Sequence, residues 1–285
     1  MRQKLGYRIV VWLGVALLLL WSLGPIYWNV VSAFTPSADF SARPIHFFPQ
    51  HFTLHHFGRL LGIDVGKLGE AQVWTQFRKA LFNSIITSLT STVACVAMSA
   101  FGAYAFTRLK FPGRQTIFIA VVATLAIPGY AVLIPLYRLM ISLHLVDTVT
   151  GVTAIYVSAF LPLSLWLLRS VFEQLPLSLE EAAQLDGAGK LYIFFGIVLP
   201  LVGPGLTAAA ILTFLGAWGQ YLVPLIFSPA ATKPLTVLIP EFATKNFIDY
   251  GLITAAGSIA IIIPALVVVF LNRYLVSGLL AGSIK

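Results

Sequence analysis

The stretch EEAAQLDGAGKLYIFFGIVLP, residues 180–200, places acidic residues, alanines and glycines between two long apolar segments. It contains Glu180, Glu181 and Asp186, which are three of only ten Asp and Glu residues in the whole chain. The stretch then becomes apolar and ends at Pro200. Such a cluster of acids is unusual in this sequence, and the surrounding chain indicates why it lies there.

The bulk composition is that of a membrane protein. Hydrophobic residues make up 59% of the 285 residues, charged residues make up 10%, and the mean hydropathy is +0.91. Soluble domains carry about 25% charged residues, whereas a helix that crosses a bilayer needs about 20 apolar residues. Six such stretches are continuous, which predicts helices rather than the alternating strands of a barrel. We therefore predict an all-α integral membrane protein, a single domain over 1–285, with six transmembrane helices at 9–31, 80–107, 115–137, 150–168, 203–227 and 251–272.

Basic residues indicate the orientation of these helices. The side that holds both termini carries ten of the 18 Lys and Arg residues, and the rest are spread over longer loops on the other side. Because short cytoplasmic segments are enriched in Lys and Arg, we predict a multi-pass protein of the cell (plasma or inner) membrane with cytoplasmic N- and C-termini. External loops are then expected at 32–79 and 228–250, and a cytoplasmic loop at 169–200. The net charge of +8 follows from this bias, and no basic patch with interleaved aromatics indicates nucleic-acid binding.

The predicted spans lack the residues of several transport chemistries. None has an ionisable residue near its middle, which argues against a proton relay or a voltage sensor. Sodium coupling, which can use backbone carbonyls and hydroxyls, stays open. The fragments at 62–67 and 187–190 approach the phosphate-binding pattern G-x-x-x-x-G-K-[ST], but both lack its spacing and its hydroxyl residue. If ATP powers this protein, the ATPase is a separate subunit.

No catalytic or metal site is predicted. The single cysteine, Cys95, lies inside the second span, where a packing role is expected. His51 and His55 have the i, i+4 spacing of one helix face, but no H-E-x-x-H pattern or cysteine partner accompanies them. We therefore expect solvated external loops around the five histidines, which are His46, His51, His55, His56 and His144.

The cluster of acids is predicted to begin a short helix. Ser178 is expected to cap this helix, and Glu180 and Glu181 then lie in its first turn, where acids oppose the positive end of the helix dipole. Ala182 and Ala183 give a small, flat surface that permits close approach by a partner. A solvated loop is the alternative, but such a loop does not need paired alanines at its centre.

The second half of the stretch predicts how this helix ends and rejoins the membrane. Gly187 and Gly189 are suited to ending a helix and turning the chain. The segment 191–199 is apolar enough to run along the membrane interface, and Pro200 then precedes the fifth span. The result is a compact helix on the cytoplasmic face that is joined to two membrane helices.

These residues carry a resemblance to a known family. Glu181-Ala182-Ala183, three residues, Gly187, nine residues and then Ile197-x-Leu199-Pro200 match the EAA---G---------I-LP signature of the permease subunits of ABC importers. Asp186, in the form DGA, is common in the sugar branch of that family. The segments AIPGYAVLIPLYRLM (126–140), FLGAWGQYLVPLIF (214–227) and RYLVSGLLAGSIK (273–285) look like those of MalG-type carbohydrate permeases. One departure is Gly219-Gln220, where these permeases more often have Asn and an acid.

The resemblance implies a type I ABC importer permease that forms half of the translocation pathway for a di- or oligosaccharide and is not itself an enzyme. It implies as partners a second homologous permease, two ABC ATPase subunits that carry ATP and Mg²⁺, an extracytoplasmic sugar-binding protein and membrane lipid. The cytoplasmic helix would dock on an ATPase, with Glu181 paired to a basic residue there. The 228–250 loop would enter the cleft of the binding protein, and the C-terminal tail would reach the ATPase pair. The coupling residues implied in this way are Glu180, Glu181, Ala182, Ala183, Asp186, Gly187, Leu199 and Pro200.

Residues that contact the sugar are a separate hypothesis. Tyr130, Trp218, Gln220 and Tyr221 are candidates because aromatic faces and amides suit polyols, although helix packing explains them equally well. Three alternatives for the whole protein also stay open: an ion-coupled secondary carrier, a non-transporting membrane scaffold, and an ABC importer permease for a polyol or sugar phosphate.

Overall fold

The computed structural model describes residues 2–41, 43, 46–64, 70–244 and 248–281. Parts of both predicted external loops and the last four residues of the C-terminal tail lie outside these ranges. Two compact units make up the chain, one comprising Met1–Ala80 with Val237–Ile262 and the other Leu81–Thr236 with Ile263–Lys285. Each unit is described by itself below.

The described residues are almost entirely helical, which confirms the all-α prediction. Their only extended pairing is an isolated antiparallel bridge between Ala243 and Ile248. The α-helices, numbered in chain order, are α1 (Arg2–Ala33), α2 (His55–Leu61), α3 (Glu70–Arg108), α4 (Arg114–Ala123), α5 (Leu133–Ser142), α6 (Val149–Glu173), α7 (Leu177–Leu185), α8 (Lys190–Tyr192), α9 (Leu199–Leu201), α10 (Gly203–Trp218), α11 (Leu222–Phe227), α12 (Leu235–Glu241) and α13 (Tyr250–Ala281).

Four of the described helices are long and apolar enough to cross a membrane, and they lie within α1, α3, α6 and α13. Two bent pairs of helical segments also qualify, namely Arg114–Ala126 with Gly129–Ser142 and Lys190–Leu201 with Gly203–Trp218. The total agrees with the six predicted helices when each bent pair is one span. The fifth span differs from the predicted segment 203–227, because α10 has only 16 residues and its bent partner precedes it in the chain.

Proline explains where the bent spans break. The first pair turns by 96° at Ile127 and Pro128, and Pro128 has an extended backbone with ψ of 120°. The second pair turns by 75° just before Gly203, and Pro204 lies in the first turn of α10. Proline removes a backbone donor and clashes with the preceding turn, which favours a break at these positions. A proline does not always break the helix, since α1, α6 and α13 continue through Pro25, Pro162 and Pro264. A continuous apolar stretch in the sequence therefore corresponds here to two helical segments.

In the first unit, α1 is exposed along most of its length, including Trp12 and Trp21. Its closest link to α13 is near its end, where the Asn29 side-chain amide donates to the Thr254 carbonyl at 3.2 Å and to the Ser258 hydroxyl at 3.0 Å. The apolar surface of α1 is therefore available to lipid or to another membrane helix.

The short helix α2 is packed against the start of α13 in the same unit. Arg59 of α2 pairs with Asp249 at 2.7 Å, and both side chains are largely buried. His56 is only 1% exposed and donates from Nε2 to the Thr35 carbonyl at 3.0 Å. Its ring lies against the backbone of Gly251, where a Cβ atom would come within 2.2 Å. The expectation of a solvated loop is therefore wrong for His56, because the glycine leaves room for the ring to be buried.

In the second unit, α3, α6 and α10 form the packed centre. Thr90 of α3 and Thr153 of α6 join by their hydroxyls at 2.9 Å. Gly216 of α10 lies so close to Phe160 of α6 that a Cβ atom would come within 2.7 Å of the ring. Cys95 is fully buried in this core, in agreement with the packing role expected for it.

Candidate functional site

The cytoplasmic helix predicted from the signature is α7. It begins directly after Pro176, whose extended backbone (φ −60°, ψ 133°) occupies the N-cap position. The prediction that Ser178 caps this helix is wrong, because Ser178 already lies inside it. The residue before a proline is disfavoured in the helical region, so the chain enters the helix only after Pro176.

The end of α7 is defined by Gly187. This residue has φ of +85°, which glycine adopts without steric cost. The N–H of Gly187 donates to the Gln184 carbonyl at 3.0 Å, and the N–H of Ala188 donates to the Ala183 carbonyl at 2.9 Å. These two bonds form a Schellman motif, which satisfies the last carbonyls of the helix. The signature glycine therefore makes α7 a short helix with a well-defined end.

The residues of α7 lie on two opposite faces, one buried and one exposed. Glu180 and Ala183 point inward and are 6% and 9% exposed. Glu181 is exposed, pairs with no described residue, and shares the outer side with Leu185, which is 90% exposed. Ala182, Asp186 and Gly187 are exposed as well. The adjacent acids of the signature thus have different surroundings, and only Glu181 is available to a partner.

Glu180 is held by the end of α3. The Arg108 Nε atom donates to Glu180 Oε1 at 2.5 Å, and the Tyr104 hydroxyl donates to Glu180 Oε2 at 3.1 Å. Arg108 also donates from Nη2 to the carbonyl of Leu175 at 2.9 Å, in the turn that precedes α7. A buried carboxylate without a partner would be strongly unfavourable, and here each carboxylate oxygen has a donor. The inner face of α7 is therefore attached to α3 as well as to its own chain neighbours.

The segment after α7 contains a π-helix. Residues Ile193–Val198 adopt this conformation, and Ile193, Phe194 and Val198 are buried in the same core as Ala183. These three residues pack into the protein, whereas Leu191 and Tyr192 are exposed, and the path of 191–199 along the membrane interface stays a prediction. Pro200 has no N–H for the Gly196 carbonyl, so a regular α-helical ladder is not available here. π-Helical turns are rare and are frequent at functional sites.

The candidate pathway residues are divided between two breaks in the helices. Tyr130 is 75% exposed in the turn between α4 and α5. Trp218 is 8% exposed and stacks on Phe214, whereas Tyr221 is 42% exposed in the break between α10 and α11. The backbone carbonyl of Gln220 accepts from the Thr236 hydroxyl at 2.6 Å. A cavity of about 340 Å³ beside the first break is lined by none of the four candidates. Its lining is Thr124, Leu125, Ile127, Gly129, Val132, Leu133, Leu136, Ile155, Ser158, Ala159, Pro162 and Val223.

The start of the predicted external loop at 228–250 is fixed by Asp147. Its carboxylate accepts from the backbone N–H groups of Ala231 at 2.7 Å, Thr232 at 2.9 Å and Ala230 at 3.4 Å, and from the Thr232 hydroxyl at 3.0 Å. Burial by itself raises the pKa of the Asp147 carboxyl, but these hydrogen bonds outweigh it, so the pKa is lowered. The segment 228–236, called the platform below, is therefore held in place by Asp147, which lies just before α6.

Hydrogen bonds from α3 also hold the platform. The Asn83 side-chain amide donates to the carbonyls of Ala231 at 3.1 Å and Lys233 at 2.9 Å. The hydroxyl of Ser84 accepts from the N–H of Leu235 at 2.9 Å. Four backbone N–H groups (Ala230, Ala231, Thr232 and Leu235) and two carbonyls (Ala231 and Lys233) of the segment are thus hydrogen-bonded to Asp147, Asn83 or Ser84. Such pairing favours a single conformation of a loop.

Sequence reasoning missed Arg108, Tyr104 and Asp147. Arg108 was counted only as a positive charge at the cytoplasmic end of a span, and the tyrosine one turn before it carried no signal. Asp147 is one of the few acids outside the cytoplasmic loop, and this scarcity is the one signal that marked it. None of the three belongs to the signature, so their roles depend on contacts far apart in the chain.

Comparisons with known proteins agree with this architecture. A family model described as "Binding-protein-dependent transport system inner membrane component" matches residues 98–280. The trehalose/maltose transport system permease protein MalG of Thermococcus litoralis is 32% identical over 288 residues, which cover 100% of this chain and 99% of that protein. The osmoprotective compounds uptake permease protein GgtD of Synechocystis sp. is 37% identical over 223 residues, covering 78% of this chain and 75% of that protein. These matches confirm the resemblance stated above.

A solved structure gives the same result for the fold. The structure described as a bacterial ABC transporter involved in the import of the acidic polysaccharide alginate matches with a TM-score of 0.80 and 22% identity. The match covers 96% of this chain and 98% of that chain. At this identity the likeness shows the fold alone, and it confirms the predicted importer permease architecture.

Proposed function

We propose that this chain, which belongs to the binding-protein-dependent transport system inner membrane component family, is the translocation subunit of an ATP-driven ABC importer for a di- or oligosaccharide. It is a multi-pass protein of the inner membrane and is not an enzyme. The observation that carries the proposal is the exposed outer face of α7, which presents Glu181 and Leu185 on a helix whose inner face is fixed to the membrane helices.

The role of α7 is to dock on an ATPase subunit. Glu181 would pair with a basic residue of the ATPase, and Ala182 would permit close approach. Asp186 and Gly187 end the helix, while Leu199 and Pro200 connect it to α10. ATP binding and Mg²⁺ belong to the partner in this proposal. Closure of the ATPase pair would then move α7 and the helices attached to it, and so open the pathway to alternate sides.

The family name implies a binding protein as a partner, and the matching structure described as a bacterial ABC transporter supports an ABC partner. We extend this to a second homologous permease and two ATPase subunits, with both termini of this chain in the cytoplasm. The exposed apolar surface of α1 supports a membrane neighbour, either lipid or the second permease. The segment 228–236 is the part of the predicted external surface that we assign to the binding protein, because hydrogen bonds from Asp147 and Asn83 hold several of its backbone groups in place.

The sugar assignment rests on the relatives and on the chemistry of the spans. A trehalose/maltose permease is similar over the whole chain, and the described membrane helices have no fixed charge near their middle. Tyr130, Gln220 and Tyr221 are retained as contacts of an uncharged polyhydroxy solute, with aromatic faces and an amide as the binding groups. Trp218 is retained as a support for this surface, because its ring is packed on Phe214.

A charge reversal tests the docking role. The complex is produced with Glu181→Lys, and uptake of labelled maltose and trehalose is measured together with the amount of ATPase that copurifies. We expect loss of uptake and of ATPase binding, with normal insertion of the permease. Gln174→Lys is the control, because it introduces the same lysine side chain at an exposed position just before α7, with a change in net charge of +1 against +2 for Glu181→Lys. Normal uptake by Glu181→Lys, or accumulation in proteoliposomes without ATP, would contradict the proposal.

A polyol is the second candidate solute. The observation that favours it is the similarity to a permease for osmoprotective compounds, which has the higher identity over a shorter part of the chain. Competition of maltose uptake by an excess of sorbitol or of trehalose separates the two. Inhibition by trehalose alone is expected for the disaccharide importer, and inhibition by sorbitol alone would favour the polyol.

A further inference from the structure

Glu180, the acid next to the docking residue, is nearly completely buried. Its side chain is 7% exposed, and the side chain of its partner Arg108 is 8% exposed. The only other described pair of an acid and a base on this side of the second unit is Arg169 with Glu173, whose glutamate is 51% exposed. Exposed pairs of this i, i+4 kind contribute little, whereas a buried pair fixes geometry because loss of either partner leaves an unpaired charge.

The last turn of α3 contacts α7 and the chain on both sides of it, and these residues, 175–198, are called the coupling segment. Arg108 binds both Glu180 in α7 and the Leu175 carbonyl before α7. The Tyr104 hydroxyl bonds to Glu180, and its ring packs edge-on against Phe194 in the segment after α7, with centroids 5.0 Å apart. One turn of a membrane helix therefore holds the entry, the body and the exit of the coupling segment.

We propose that Glu180 is a positioning residue whose ion pair with Arg108 joins the coupling helix to α3, so that movement of α7 is transmitted to α3. This inference rests on the function proposed above. Chain connectivity alone links α7 to α6 and, through 188–201, to α10. The Glu180–Arg108 joint adds a third membrane helix, which lies far away in the sequence. The outer face of α7, with Glu181, binds the ATPase, and the inner face, with Glu180, transmits the motion.

The joint predicts a separation of two activities. Without the Glu180–Arg108 ion pair, α7 still presents Glu181 to the ATPase. However, α7 can then rotate without moving α3, so less of its motion reaches the membrane helices. ATP hydrolysis then continues while less solute is moved for each ATP. A role in folding alone would instead lower the amount of assembled complex and leave the ratio of solute to ATP unchanged.

The test uses the complete complex of this chain with its partners in proteoliposomes. Glu180→Gln keeps the shape of the side chain and removes its charge, and Glu173→Gln is the matched control in the exposed pair. The measurement is labelled maltose imported per ATP hydrolysed, at equal amounts of bound ATPase. We expect Glu180→Gln to lower this ratio at least about fivefold, the lower end of usual coupling between sites. The control is expected to keep the ratio of the unmodified complex.

Each outcome decides the proposal. An unchanged ratio of solute to ATP in Glu180→Gln, or an equal fall of this ratio in Glu173→Gln, overturns the proposed role of the ion pair. Loss of ATPase binding in Glu180→Gln also overturns it, because that result places Glu180 on the docking face. If Glu180→Gln does not assemble, Tyr104→Phe decides, since it removes only one hydroxyl and leaves the ion pair intact. A smaller fall of the ratio in Tyr104→Phe supports the joint, and no fall overturns it. Failure of the importer proposal is seen separately, as normal uptake by Glu181→Lys.

Discussion

Replacing Asp147 by asparagine is expected to open the platform at 228–236 without unfolding the protein. Asp147 has φ of 58°, a left-handed conformation that asparagine tolerates better than alanine does. The substitution therefore changes the hydrogen bonding and leaves the backbone preference nearly intact. The asparagine oxygen can replace one carboxylate oxygen, but its NH₂ group then faces a backbone N–H.

The size of the effect follows from the bonds that are lost. If the asparagine oxygen takes the position of Oδ1, the bond to Ala231 is lost and the bonds to Thr232 change from charged to neutral. A hydrogen bond to a charged group contributes about 1.5–3 kcal/mol, and a neutral one about 0.5–1.5 kcal/mol. Ala230 and Ala231 are exposed, so water replaces part of what is lost. We therefore expect a loss of about 2 kcal/mol for the closed platform, which increases its opening about thirtyfold.

Hydrogen–deuterium exchange of the purified complex measures this opening directly. Peptides that cover 228–236 are expected to exchange about thirtyfold faster in Asp147→Asn, while peptides from α6 and α10 stay unchanged. Asp64→Asn is the matched control, because Asp64 is a half-exposed acid whose carboxylate pairs with the His55 ring and lies beside Gly58. Exchange at 228–236 that is unchanged in Asp147→Asn, or equally fast in Asp64→Asn, would refute the reasoning.

Three further predictions concern acidity and packing. Because the pKa of Asp147 is lowered in the folded protein, its carboxylate stabilises the closed platform fully above the ordinary pKa of about 3.9, and this stabilisation is lost as the pH falls through the lower folded value. The segment 228–236 is therefore expected to stay protected from exchange at pH 5 and to open only below about pH 4. Gly251→Ala places a Cβ atom 2.2 Å from the ring of His56 and is expected to cost about 1–3 kcal/mol of stability, measured by chemical unfolding in detergent. In a double-mutant cycle of Thr90→Val and Thr153→Val, a coupling energy of about 0.6 kcal/mol is expected for their shared hydrogen bond.

Each of these predictions has its own control. Asp147→Asn is expected to lack the acid transition at 228–236, and a transition that persists in this variant would assign the pH effect to another group. Gly24→Ala, in a helix with nothing near the added carbon, should keep or raise the stability of the unmodified chain, because alanine favours a helix more than glycine does. Equal loss in both glycine variants would rule out the contact with His56. Thr75→Val removes a bond within its own helix, so its cycle with Thr153→Val should give no coupling.

Composition and signature predicted the helical fold and the family, because both depend on patterns that are local in the sequence. A continuous apolar stretch does not show where its helix bends, however, and the predicted span 115–137 runs through the turn that the structure has at Pro128. The sequence predicts a solvated loop around His56 because no metal-site pattern accompanies the histidines. Its burial depends on Gly251, which lies far away in the chain and leaves a space of the right size.

In the candidate site, too, the sequence predicted the local features and not the contacts between distant residues. The signature correctly predicted a short helix that ends at Gly187, since a left-handed glycine is a local requirement. It did not show which of two adjacent acids faces inward, because that depends on where the helix starts, and the start is set by Pro176 rather than by Ser178. The partner of the inward acid, Arg108, comes from another helix, and no spacing within 180–200 indicates it.

The buried position of Cys95 makes the natural chain suitable for spectroscopy. It is the only cysteine, and it is fully buried, so thiol reagents added to the folded protein will not label it. A cysteine introduced at Gln174, just before α7, or at Leu125, beside the first helix break, would then carry the only probe on this chain, since both residues are exposed and neither is assigned to docking or to solute contact. Spin labels or fluorophores at these two positions can report the movement of the coupling helix and of the first helix break during ATP turnover, without first removing a native thiol.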